Sequence, residues 1–161
     1  MHMMISMLTI TVTKMKLPEP LFVIINPVMR LVLSSPLHFV ASRSLLLMRY
    51  RGRRSGIWRT TPLRYVEDGD VFRCFSSRNT QWWRNLEDGA QVTLTVRGKR
   101  VDCEAAVVTD QARARALLAA YLEQFPQDAA YHEVSLTPNR QPDPASLERA
   151  AANSVVVEAR P

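Results

Sequence analysis

Six arginines and no acid fall between Arg49 and Arg64. Inside that stretch Gly52 and Gly56 bracket Arg53, Arg54 and Ser55, and the run passes on through Arg59 into Thr60, Thr61 and Pro62. Glycine reaches positive-φ conformations, so a turn of this kind can present consecutive backbone N–H groups to one anion. Arginine adds planar donor forks that match phosphate or carboxylate and stay charged at any physiological pH. The chemistry on offer is capture of a multiply anionic small molecule. The alternative is a solvated basic turn on a sheet edge, where charge discourages strand-on-strand association.

Other residues can share a cleft with that turn. Ser76, Ser77 and Arg78 follow a strand-like segment and can offer hydroxyl and N–H groups from a loop. Trp82 and Trp83 supply flat apolar surface, one of them as core, and Asn85 has an amide that both donates and accepts. Tyr131 and His132 lie in an irregular segment from which they can reach a reacting centre; otherwise His132 is a surface-loop histidine. No paired carboxylates, nucleophile–base pair or metal-ligand spacing stands in the sequence. An enzyme with this inventory takes its chemistry from a bound cofactor.

The elements that must position these groups are readable from pattern. Thr60–Val66 and Val71–Phe75 form a hairpin around an Asp-Gly turn at Asp68 and Gly69. Gln81–Leu86 reads as a short helix ended by Gly89. Val92–Val96 and Val101–Val108 make a second hairpin. Asp110 caps a helix running to Gln124, with Leu117, Leu118 and Tyr121 on its buried stripe. Residues Phe125–Gln141 are irregular, Asp143 and Pro144 start a last helix through Ala152, and Ser154–Ala159 closes as a strand buried on both faces. Upstream, Leu21–Leu33 and Pro36–Leu47 read as helices, preceded by a poorly ordered extension over residues 1–20, with Met15 as an alternative start. Five or six mostly antiparallel strands with helices between them predict an α+β chain, mainly β, built as a closed or half-closed barrel.

A chain of 161 residues forms one domain with a full core. Its net charge of +6 points to an anionic partner: a phosphorylated cofactor, nucleic acid or membrane lipid. Cys74 and Cys103 have no redox or metal spacing, which fits core thiols in a reducing, cytoplasmic compartment. The apolar run over Leu21–Leu33 is too short to span a bilayer, though as an amphipathic helix it can rest on a membrane surface. Neither a Gly-x-Gly-x-x-Gly after a strand nor a phosphate-loop lysine motif is present.

From about Leu21 to Val157 the sequence resembles the deazaflavin-dependent nitroreductases, or quinone reductases, of the split β-barrel flavin and deazaflavin oxidoreductases. The likeness is carried by Ser35–His38, by Gly52–Leu63, by Asp68–Asp70, by Trp82–Leu86 and by Pro142–Pro144. It implies a split barrel over 21–161 with N-terminal helices packed on it and the cofactor in a groove along the strands. It implies that Arg54 and Arg59, with Ser55 and Gly56, hold the phosphate and anionic tail of coenzyme F420. Thr61 and Pro62, beside Thr60, would line the deazaflavin ring, and Ser76, Ser77 and Arg78 would add polar contacts. Trp82 and Asn85 match family positions beside the cofactor. Tyr131 matches the last of a set of family tyrosines near the substrate, whereas Phe125 and Asp128 stand where some members carry tyrosine.

The resulting expectation is an F420H2-dependent reductase that passes a hydride to a quinone-like or nitroaromatic acceptor, with Tyr131 as the catalytic residue and a monomer or homodimer as the assembly. An FMN-binding oxidoreductase of the same shape and a non-catalytic cofactor carrier are the alternatives. A nucleic-acid module is disfavoured because no aromatic residues are interleaved through the arginine turn as a stacking platform.

Overall fold

The structure, a computed structural model, describes residues 44–161. Six antiparallel strands close into a barrel: β1 (Leu45–Arg51), β2 (Trp58–Asp68), β3 (Val71–Ser77), β4 (Ala90–Val96), β5 (Lys99–Val107) and β6 (Ser154–Arg160). Around the barrel the order is β1-β2-β3-β6-β5-β4, and β4 pairs back onto β1. Helix α1 (Gln111–Gln124) and helix α2 (Pro144–Asn153) join β5 to β6. Among the described residues, no helix is long and apolar enough to cross a membrane.

Local chemistry sets the element ends. The Asp110 side chain accepts the Arg113 N–H at 2.9 Å, and the Asp143 side chain accepts the Ser146 N–H at 2.9 Å. Each satisfies a donor that the first turn of a helix leaves open, and Pro144 fills the first helical position where no N–H is needed. Gly69, at φ +62°, turns the β2–β3 hairpin, and Arg97 with Gly98, both at positive φ, turns β4 into β5.

Strand alternation divides the core in two. Leu46, Met48, Leu63, Cys74, Leu94, Cys103 and Val157 fill the barrel, and both cysteines are free thiols there. Phe75, Leu118, Tyr121, Leu122, Leu147 and Val156 pack the two helices against its outer wall. Val155 and Val157 face inward while Val156 faces the helices, so the valine run is buried on both faces. Leu118 and Tyr121 are buried on α1 as the pattern predicts, whereas Leu117 is only partly covered.

One element differs from expectation. Residues 45–47, read as the end of a helix over Pro36–Leu47, instead open β1. Leucine and methionine favour helices in isolation, but here Leu47 lies opposite both Pro62 and Thr95, so pairing on two sides decides the conformation. The rest of that helix, the helix over Leu21–Leu33 and the extension over residues 1–20 lie outside the described residues.

Candidate functional site

The β1–β2 connection is a closed turn. Gly52 N–H donates to the Ile57 carbonyl and Gly56 N–H to the Gly52 carbonyl, each at 2.8 Å. The Ser55 hydroxyl accepts the Ile57 N–H at 3.2 Å, and Arg51 Nε donates to the Gly56 carbonyl at 2.9 Å. Gly56 sits at φ +67°, where a side chain is strained, and a Cβ on Gly52 would stand 2.5 Å from Ser55 Oγ. Gly56 is therefore demanded by the fold of the turn, and a side chain at position 52 would displace the Ser55 hydroxyl. Its N–H groups are not all available to an anion: among the described residues only those of Arg54 and Ser55 lack a partner within residues 52–57.

The turn is tied to a 3-10 helix over Trp82–Leu86. Arg53 N–H donates to Asn85 Oδ1 at 3.0 Å, and Asn85 Nδ2 donates to the Trp82 carbonyl at 2.8 Å. The Arg53 guanidinium pairs with Glu87 at 2.9 Å and approaches Asp88 at 3.9 Å. Between the turn and this short helix lies a cleft of about 440 Å³, lined by Tyr50, Gly52, Arg53, Arg54, Ser55, Arg59, Gln81, Trp82, Arg84 and Asn85. A cleft of that size is within the range that holds small ligands and cofactors. The Arg54 and Arg59 guanidinium groups have no hydrogen bond or ion pair among the described residues. Burial pushes the Tyr50 phenol up from its ordinary value while Arg59 pulls it back, so Tyr50 remains a neutral donor in the wall.

The two tryptophans divide their roles. Trp83 is core. Trp82 is half-buried, lines the cleft and packs on Tyr50 with ring centroids 6.3 Å apart. Trp82 Nε1 donates to Ser76 Oγ at 3.1 Å. Thr80 Oγ1 donates to the Ser77 carbonyl at 2.8 Å, so the Ser76 hydroxyl proton goes to Thr80 Oγ1, 2.9 Å away. This directed chain fixes the indole through its N–H.

Several expected contacts are absorbed elsewhere. Ser76 is buried with its hydroxyl committed to that chain, at the end of β3 and not in a loop. Arg78 caps the C-terminus of α2: its Nε donates to the Ala152 carbonyl and its N–H to the Asn153 carbonyl, both at 2.8 Å. Asn85 spends its oxygen on the turn. Thr60, Thr61 and Pro62 lie opposite Arg49, Met48 and Leu47 in the β1–β2 ladder and do not line the cleft. Tyr50, Gln81 and Arg84 line it without having been anticipated. For Tyr50 a signal existed, since it stands two residues before Gly52 on a strand whose alternate residues face inward.

Tyr131 lies apart from this cleft. It is 58% exposed and, with Ser77, Asn79, His132, Glu133, Asn153 and Ser154, lines a second cleft of about 240 Å³. The segment from Ser77 to Trp82 borders both. His132 is not a surface histidine: it is buried, its Nδ1 lies 3.2 Å from Ser154 Oγ, and it meets the Tyr131 and Tyr121 rings edge-on. Burial lowers its pKa to about 4, against the opposing charge of Asp128, so the imidazole is neutral. Asp128 anchors this segment. Its carboxylate accepts from the Tyr121 hydroxyl and pairs with Arg64 Nε at 2.5 Å, while its carbonyl accepts the Tyr131 and His132 N–H groups. Among the described residues no cluster of His, Cys, Asp or Glu could hold a metal ion.

Residues 36–135 match the family described as F420H(2)-dependent quinone reductase. A solved structure described as a domain-swapped dimer is similar in fold, at 17% identity and a TM-score of 0.53 over 88% of this chain and 99% of that one. A second, an F420-H2 dependent reductase (FDR-A), is similar at 19% identity and a TM-score of 0.50 over 72% of this chain and 94% of that one. No curated protein matches the chain. The match spans the arginine turn, the short helix and the Tyr131 segment alike, and the chain belongs to the F420H(2)-dependent quinone reductase family: it is an F420H2-dependent reductase whose cofactor is coenzyme F420.

Proposed function

We propose that this reductase passes a hydride from reduced coenzyme F420 to a quinone-like or nitroaromatic acceptor, with the arginine cleft as the anchor for the cofactor's anionic part. The observation that carries this reading is the pair Arg54 and Arg59. They are two guanidinium groups lining one cleft with no acid partner among the described residues, beside the unpartnered N–H groups of Arg54 and Ser55. That donor set fits a phosphate with a further anionic group, and the half-buried face of Trp82 fits a flat ring. Arg53, neutralised by Glu87, supports the turn instead of adding free charge.

When bound, the reduced deazaflavin supplies two electrons and a hydrogen nucleus together. The chain's own part is to orient and enclose. Trp82, held by Ser76 and by contact with Tyr50, is fixed before any ligand arrives. Thr61 lies on the same side of β2 as Arg59 and is proposed to continue the wall beyond the cleft, while Thr60 and Pro62 lie on the other side. The second cleft is proposed for the acceptor. There Tyr131 donates a hydrogen bond to the acceptor oxygen as negative charge develops, and neutral His132 stabilises its ring edge-on. A homodimer is part of the proposal, since one structure of similar fold is a domain-swapped dimer; light scattering at the mass of a single chain removes it.

The test is oxidation of F420H2 by the purified protein with a panel of quinones and nitroaromatics, followed by loss of cofactor absorbance. Turnover with at least one quinone supports the assignment. Turnover confined to acceptors of another class refutes it.

A further inference from the structure

The tip of the β1–β2 hairpin holds two large apolar side chains in water, Ile57 at 61% exposed and Trp58 at 48%. The Arg49 guanidinium lies 4.3 Å from the centre of the Trp58 ring. In the ladder Arg51 faces Trp58 and Tyr50 faces Arg59. Because successive strand residues alternate in side, Arg49, Arg51 and Trp58 share one face and Tyr50 and Arg59 the other. The second of these faces lines the arginine cleft; the first lines neither cleft. Arg49 and Arg51 also have no ion pair among the described residues. The outer face therefore carries Trp58 beside unneutralised cations, with Ile57 exposed next to it in the turn, and it is separate from the cofactor site.

Charge selects what can cover it. A second copy placed across a two-fold axis would set Arg49 and Arg51 against their own counterparts, bringing like charges together. An anionic lipid surface suits both parts of the patch. Tryptophan, apolar in body with one polar N–H, sits well at the headgroup level, and arginine is drawn to lipid phosphates. We propose that the tip of this hairpin docks on an anionic membrane surface, with Ile57 and Trp58 entering the headgroup region and Arg49 and Arg51 engaging lipid phosphates. This proposal does not depend on which acceptor the enzyme reduces.

The test is flotation of the full chain with vesicles of mixed phosphatidylglycerol and phosphatidylcholine, and with phosphatidylcholine alone. Salt-sensitive binding to the anionic vesicles is expected. The Ile57→Ser/Trp58→Ser double variant should bind about tenfold more weakly, and Arg49→Gln about fivefold more weakly. Coenzyme F420 affinity should be unchanged in both, which also shows that they fold. Absent binding, equal binding to neutral vesicles, or undiminished binding by the double variant overturns the proposal. So does a dimer of the native chain that the double variant abolishes, which assigns the tip to a second copy, or binding to duplex DNA tighter than to anionic vesicles.

Discussion

Arg53 N–H donates to Asn85 Oδ1 at 3.0 Å, a bond across 32 residues of sequence that fastens the glycine turn to the short helix carrying Trp82. The same amide donates to the Trp82 carbonyl, so one side chain holds the charged wall of the cleft and its aromatic wall at a set distance.

Asn85→Ala should therefore weaken cofactor binding without removing a charge. The lost bonds are worth about 1–2 kcal/mol, or about a tenfold rise in Kd, with kcat little altered. Fluorescence titration with coenzyme F420 checks the first part and steady-state kinetics the second. An unchanged Kd would mean that the turn keeps its place without this clamp.

Tyr131→Phe separates binding from chemistry. Tyr131 stands outside the arginine cleft, so cofactor Kd should hold while kcat falls by about 10²-fold or more, the usual worth of a positioned proton or hydrogen-bond donor. A rise in cofactor Kd with kcat preserved would move Tyr131 out of the acceptor site.

His132 gives a pH signature in stability. Its folded pKa, about 4, lies below the unfolded value near ~6.5. A depressed folded pKa means that the contribution is complete above the unfolded value and is lost as pH falls towards the folded one. The native chain should lose up to about 3 kcal/mol from this group as pH falls from ~6.5 to ~4. Urea unfolding across that window should show a shallower pH slope for His132→Asn than for the native chain. Equal slopes would contradict a buried neutral imidazole.

Much of this architecture is legible in the sequence because local chemistry and burial agree. Asp110 and Asp143 are helix caps in pattern and in fact, and Val155–Val157 reads as a strand covered on both sides because it is one. β1 is hidden because Leu45–Met48 has no local strand signal; its neighbours β2 and β4 impose the conformation. The arginine turn is visible as a cluster, but the division of labour within it is not. Which arginine is neutralised depends on Glu87 and Asp88, the first of them 34 residues beyond Arg53 in sequence. Likewise Arg78 and Ser76 read as ligand contacts until the C-terminus of α2 and the Trp82 indole are seen to claim them. His132 is misread for the same reason: its cover is Tyr121 on α1 and its partner is Ser154 on β6.

The central claim is that Arg54 and Arg59 together grip the anionic part of the cofactor, and fluorescence titration of Arg54→Ala, Arg59→Ala and the double variant with coenzyme F420 tests it most directly. Each charged hydrogen bond is worth about 1.5–3 kcal/mol, so each single variant should raise Kd about 10- to 100-fold and the double variant further still. A double variant that binds coenzyme F420 as tightly as the native chain would contradict the account.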